Sequence, residues 1–371
     1  QQAVDETLAE AGVAETEGAA LRPAIQEQLQ RQRELLGRLI DIQESWQRAI
    51  GDLDFKANQL IDLVARYDDF LAERLLWVRS DVPVFEQHFG ALPKAVQWLL
   101  SPEHWWEVFG VLLSQTLTSP ALWLGLIVVL LLLSREPRLR RRIRDHAEPL
   151  RRISTDRFGH TLAALGLTLL LAAPWPLLCA LIGWQLGGSL QATAFTKAIG
   201  QAFIAVAVPF YYLRAFKLLC MNGGVADRHF RWSSSTLRLL SRYFQITAVA
   251  LLPLGFVTAA VANSGSPGLS GAFVQFAIAL LCLGLALLTA RLMHPTAGVL
   301  KDVLAEHPRG WPNRTRFLWY TILVGVPAAL AVIALAGYVY TAGVLLGSLV
   351  GELWLALILI VVHQSIVRWL I

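Results

Sequence analysis

Apolar residues follow one rule in the first fifth of the chain and another in the rest. Between Leu36 and Leu71 they recur every seven residues in two stripes. One stripe runs Leu39, Trp46, Leu53, Leu60 and Tyr67; the other runs Leu36, Ile50, Ala57, Val64 and Leu71, broken only by Gln43. Alternating steps of three and four place both stripes on one helix face, the seam pattern of a coiled coil. Arg38, Asp41, Glu44, Asp52 and Lys56 occupy the other faces. The pattern predicts a helix from about Gln26 to Val78, on the order of 75–80 Å long at 1.5 Å per residue. Its seam calls for packing against helices from upstream or from neighbours. Asp81-Val82-Pro83 is a break, since the residue before proline avoids helical geometry.

Two amphipathic stretches follow, ALPKAVQWLLS (Ala91 to Ser101) and PEHWWEVFGVLL (Pro102 to Leu113). Trp98, Trp105, Trp106 and Phe109 sit beside Lys94, Glu103, His104 and Glu107, a mixture suited to the headgroup layer of a membrane. A single tilted span from Trp105 to Leu133 is the other reading. Pro120 after Ser119 favours a fresh helix start and hence an interfacial helix with those four aromatic residues as anchors.

Beyond it lie seven apolar runs long enough to cross a bilayer, which takes about 20 residues each. They cover roughly 116–134, 158–184, 195–219, 240–262, 269–293, 316–339 and 342–370. The fold class is therefore all-α: a polytopic helical membrane protein with seven predicted transmembrane helices, preceded by a long coiled-coil-like helix and an interfacial amphipathic helix. Its expected domains are an N-terminal helical arm over 1–90, an interfacial segment over 91–115 and a seven-span domain over 116–371.

Composition agrees with this division. The chain has 371 residues, of which 55% are hydrophobic and only 16% charged. Mean hydropathy is +0.51. A soluble domain carries about a quarter charged residues. The net charge of +5 does not point to nucleic acid, because the basic residues flank apolar spans. Arg135, Arg138, Arg140, Arg141, Arg142, Arg144, Arg151, Arg152 and Arg157 fill the first loop, Arg228, Arg231, Arg238 and Arg242 the third, and Lys301, Arg309, Arg314 and Arg316 the fifth. NSGSPGLSG (Asn263 to Gly271) and YTAG (Tyr340 to Gly343) carry no charge. The positive-inside rule then puts the odd loops and the C-terminus in the cytoplasm and the arm outside. The block Arg135 to Arg152 has two compatible readings, a stop-transfer signal and a contact for anionic lipids.

Candidate chemistry is sparse. No metalloprotease, nucleophile-elbow or phosphate-loop motif occurs, so neither catalytic residues nor metal or cofactor ligands are assigned and an enzyme is not expected. Cys179, Cys220 and Cys282 lie in or beside apolar stretches without metal-ligand spacing, and three is an odd number for a disulfide framework. The opening QQAVDE, without Met or a signal peptide, reads as a trimmed piece of something larger. Gly343, Gly347 and Gly351, four apart, form a small-residue face for close helix packing or a smooth pore wall. Glu352 is the clearest ionisable group inside a span and a candidate functional charge. A buried partner, a gating role, outward snorkelling and a water-filled crevice all fit it. Pro174, Pro176, Pro209, Pro253 and Pro327 invite kinks within spans.

Three stretches carry a resemblance. ERLLWVRS (Glu73 to Ser80) resembles the join between periplasmic helices and membrane in large MscS-family channels of the MscK (KefA) type. GGVADRHFRW (Gly223 to Trp232) with LRLLSR (Leu237 to Arg242), and GVLKDVLAEHPRGWPNRTRFLWY (Gly298 to Tyr320) with GYVYTA (Gly337 to Ala342), resemble that family's inner-membrane domain. The resemblance implies a tension-gated channel in a bacterial inner membrane, heptameric, in contact with lipids and passing ions. Its pore helix and cytoplasmic cage have no counterpart in this sequence. A secondary transporter would need polar groups at the membrane midplane, which is nearly bare. A non-conducting membrane anchor for a periplasmic helical domain is the third reading.

Overall fold

The computed structural model describes residues 15–75, 78–83, 91–145, 158–189, 192–306 and 310–370. Arg151, Arg152, Arg157, Arg309, Leu76 and Trp77 lie outside the described residues. No strand occurs among the described residues. Close contacts divide the chain into one unit ending at Arg74 and a second from Leu75 to Ile371.

The first unit is one helix, α1 (Glu15–Leu75), of 61 residues, longer at its start than the sequence pattern predicts. Its seam side chains are open: Leu39, Trp46, Leu53 and Leu60 are all more than half exposed. Three ion pairs of Arg31, Arg38 and Arg48 with the glutamates four residues earlier support it, each contributing about 0.3–0.5 kcal/mol.

The second unit is a helical bundle. Two short helices, α2 (Ala91–Leu100) and α3 (Pro102–Thr118), lead into it. Ser119 is extended and α4 (Pro120–Asp145) starts at the proline, so no single helix runs from Trp105 to Leu133. Helix α4 does not stop at Ser134 but carries its arginines a further three turns as helix. The run predicted over 158–184 is a pair, α5 (Phe158–Ala172) and α6 (Pro174–Gly187), bent by 43°. Pro174 and Pro176 remove backbone donors at that bend. Helices α7 (Ala194–Leu219), α8 (Ser234–Ala262), α9 (Pro267–Leu292), α12 (Arg316–Leu335) and α13 (Val339–Leu370) follow. Two short helices, α10 (Lys301–Glu306) and α11 (Trp311–Arg314), lie between α9 and α12. Among the described residues six helices are long and apolar enough to cross a membrane, or seven if the bent pair counts as one span. Helix α8 starts six residues earlier than its apolar run and contains a wide π turn over Thr247–Leu251.

The closest pairings are α6 with α7 and α9 with α12. Small residues allow the first: a Cβ at Gly183 would meet the Gly200 carbonyl at 2.7 Å, and one at Gly200 the Gly187 nitrogen at 2.9 Å. Such close approach replaces the hydrophobic driving force that helices lack in lipid.

Candidate functional site

The stretches singled out by sequence gather at the two ends of the bundle. At one end, residues 78–83 are fastened to the turn between α12 and α13. The Ser80 and Asp81 amides both donate to the Gly337 carbonyl, at 3.1 and 3.0 Å. The Tyr340 amide donates to Ser80 Oγ at 3.4 Å, and the Arg79 guanidinium lies 5.8 Å from the centroid of the Tyr338 ring. Gly337 makes this possible twice over. Its φ of +97° closes α12 with the paired bonds Tyr338 N to Ile333 O and Gly337 N to Ala334 O, a left-handed cap that favours glycine. A Cβ there would also collide with the Asp81 carbonyl. Gln275 of α9, fully buried, donates to the Ala334 and Leu335 carbonyls at 2.9 and 3.1 Å and so satisfies the end of the same helix. Sequence inspection passed over Gln275, whose only signal is an amide inside an apolar run.

Beside this clamp, α2 packs on α9 with Ala95 fully buried among Val261, Val274 and Ala334. Phe195, in the first turn of α7, is enclosed by Trp98, His104 and Trp105, with ring centroids 4.8, 4.8 and 5.7 Å away. Trp105 Nε1 donates to the Leu99 carbonyl at 2.7 Å. Thr193 caps α7 and donates to Glu107 at 3.0 Å, and the Gln115 and Gln185 side chains bond α3 to α6. The four aromatic candidates thus divide. Trp98 and Trp105 are half-buried on Phe195, whereas Trp106 and Phe109 are 76% and 58% exposed and touch each other.

The opposite end carries the basic segments. The Arg144 side chain lies against Gly223. Thr161 Oγ1 and His229 Nδ1 are 2.9 Å apart and buried. Val225, Ala226, Leu237 and Leu240 form one apolar cluster with Phe230, Trp232, Leu292 and Val299. The second and third resembling stretches therefore pack on each other. Glu136, near the head of the arginine run, holds Arg140 at 2.7 Å and Arg214 of α7 at 3.7 Å, tying α4 to α7. Arg135, Arg138, Arg141 and Arg142 are exposed on α4. Burial pushes the Cys220 thiol, just past the end of α7, up to about 12, so it stays protonated and inert.

Helix α13 differs from its neighbours. Its Gly347 and Gly351 have open space where a Cβ would stand, and Gly343 meets only the tip of Ile278. Gly347, Gly351, Trp354 and Ile358 line a crevice of about 370 Å³ with Val208 and Pro209 of α7. Tyr212 also lines it and stacks on Trp354 at 5.2 Å, and Phe216 stacks on Trp354 at 5.8 Å. Glu352 is exposed on the outer side of this helix. Among the described residues no cluster of His, Cys, Asp or Glu could hold a metal ion.

Long apolar helices, one pair of them broken at a proline, and basic segments at one end define a polytopic helical membrane protein. Within that class, residues 119–371 match the family described as mechanosensitive ion channel inner membrane domain 1, and the chain belongs to that family. Over 351 residues it is 23% identical to the miniconductance mechanosensitive channel MscM of Escherichia coli (strain K12), covering 94% of this chain. The chain spans 31% of the length of that relative. No solved structure matches it.

Proposed function

We propose that this chain is the membrane-embedded, tension-sensing region of a bacterial mechanosensitive channel that opens under bilayer tension and relieves osmotic stress. The family match over 119–371 is the observation that carries the reading. Tension acts only through a difference in in-plane area between two states. The bend between α5 and α6 supplies a point of flexure, and the faces of the spanning helices that pack neither in the bundle nor on another subunit supply lipid-facing surface on which such a difference can act. The helix α3 lies in the headgroup layer, with Trp106 and Phe109 as its lipid contacts. The first 90 residues form the periplasmic arm. The basic segments face the cytoplasm beside anionic headgroups, by the positive-inside rule and the attraction of juxtamembrane arginines to such lipids. The protein is no enzyme; it works as a ring of identical subunits, seven by resemblance, and ions pass through a pore formed outside these residues.

Patch recording tests this reading. The full-length gene product should give tension-activated currents in liposomes, and residues 1–371 alone should insert and give none. Silence from the full-length protein, or tension-dependent currents from residues 1–371, would overturn it. A cysteine at position 141 (Arg141→Cys) should react with an impermeant thiol reagent only from the cytoplasmic side.

A further inference from the structure

The two spanning helices that bury least are α4 and α13. Only 6% of the apolar stretch of each is buried, against 22–44% for the other unbroken spanning helices α7, α8, α9 and α12. Both run from the Gly337 end toward the basic end, since Val339 starts beside the clamp and Val361 lies in the basic-end cluster, while Arg144 ends beside Gly223. Their relative depth is fixed through α7. Tyr212 stacks on Trp354 of α13, and Arg214, one half-turn on, pairs with Glu136 of α4. At 1.5 Å per residue, Leu131 then lies level with Gly351 and Ile127 level with Gly347, and Arg135 stands within about 5 Å of the depth of Glu352.

These levels pair unlike surfaces. Ile127 and Leu131 are half exposed on α4, while Gly347 and Gly351 of α13 leave open space. Among the described residues neither Glu352 nor Arg135 has an ion-pair partner. A carboxylate inside a span faces a partner or water, not lipid tails. We propose that α13 of one subunit docks on α4 of a second copy of this chain. Leu131 and Ile127 seat over Gly351 and Gly347, and Arg135 pairs with Glu352. The contact joins two different surfaces, so it propagates head to tail and closes as a ring. This inference rests on the proposed function only in taking the bundle as part of a homo-oligomer.

Disulfide trapping in the full-length protein in native membranes tests it, with the three native cysteines replaced by alanine. Ser134→Cys combined with Leu355→Cys should give a ladder of linked subunits on oxidation, and either change alone should give none. Glu352→Arg should reduce the ladder at least tenfold, and adding Arg135→Glu should restore it to within twofold. No ladder from an intact oligomer, a ladder from Leu355→Cys alone, or failure of the charge swap to restore linking would overturn the proposal. A photo-crosslinker at Leu355 that captures a segment beyond residue 371 of the same chain would overturn it as well. Tension-activated currents recorded on the same variants separate the two ideas: lost currents with an intact ladder count against the channel reading and leave the interface standing.

Discussion

Ser80 and Tyr340, 260 residues apart in sequence, are joined by a hydrogen bond from the Tyr340 amide to the Ser80 hydroxyl at 3.4 Å. Together with the two amides on the Gly337 carbonyl and Arg79 over Tyr338, it binds the segment preceding the bundle to the head of α13. Residues 78–83 are thus held to the α12–α13 turn by direct polar contacts.

The clamp should be sensitive to a single methyl group. Gly337→Ala forces a left-handed backbone on a residue with a Cβ and pushes that Cβ into the Asp81 carbonyl. A loss of about 1–3 kcal/mol is expected, read as a lower thermal midpoint of the detergent-purified protein. Ser80→Ala, which removes only one 3.4 Å bond, should cost less; the reverse order would contradict the clamp geometry.

Gln275→Leu keeps the volume but removes both donors to the end of α12. Interhelical hydrogen bonds in membranes are each worth about 0.6 kcal/mol on average, so a loss near 1 kcal/mol is expected in a denaturation titration. Amide hydrogen exchange around Ala334–Gly337 should rise with it. Unchanged exchange there would mean that Gln275 does not hold the turn.

Trp106 stands outward and Trp98 is packed on Phe195. Shallow brominated lipids should quench a component of the tryptophan emission that disappears in Trp106→Phe and persists in Trp98→Phe. If instead Trp98→Phe removed the quenched component, the packing of α2 and α3 on α7 would be wrong.

The Cys220 thiol, held protonated by burial up to about 12, should resist maleimide at pH 8 in the folded protein. The thiolate is the reacting species, and burial leaves far less of it at pH 8 than an ordinary thiol near about 8.5 would carry. Labelling should appear on denaturation. Rapid labelling of the native protein at this position would show that the end of α7 opens.

Element positions were largely legible in the sequence, because a 20-residue apolar run has few alternatives in lipid and Pro120 marks a helix start. Local pattern failed where helices change direction or depth. The break at Ala173 lies inside one continuous apolar run, so hydropathy alone joins α5 to α6. The extension of α4 through its arginines is likewise hidden, because charges that end a span do not end a helix.

By itself the sequence determined the helical membrane class, the amphipathic lead-in, the seam of α1 and the alternation of basic and uncharged segments. These follow from local periodicity and charge, which each segment carries alone. Only the tertiary structure decided which side of each helix is used. It turned Trp98 and Trp105 onto Phe195 but left Trp106 outside, matched Glu136 with Arg214 and left Glu352 exposed, and brought Arg79 to Tyr338. A nearly uniform apolar helix has no strong preferred face, so its orientation is set by the small residues and polar atoms that its neighbours present, and those neighbours are distant in sequence.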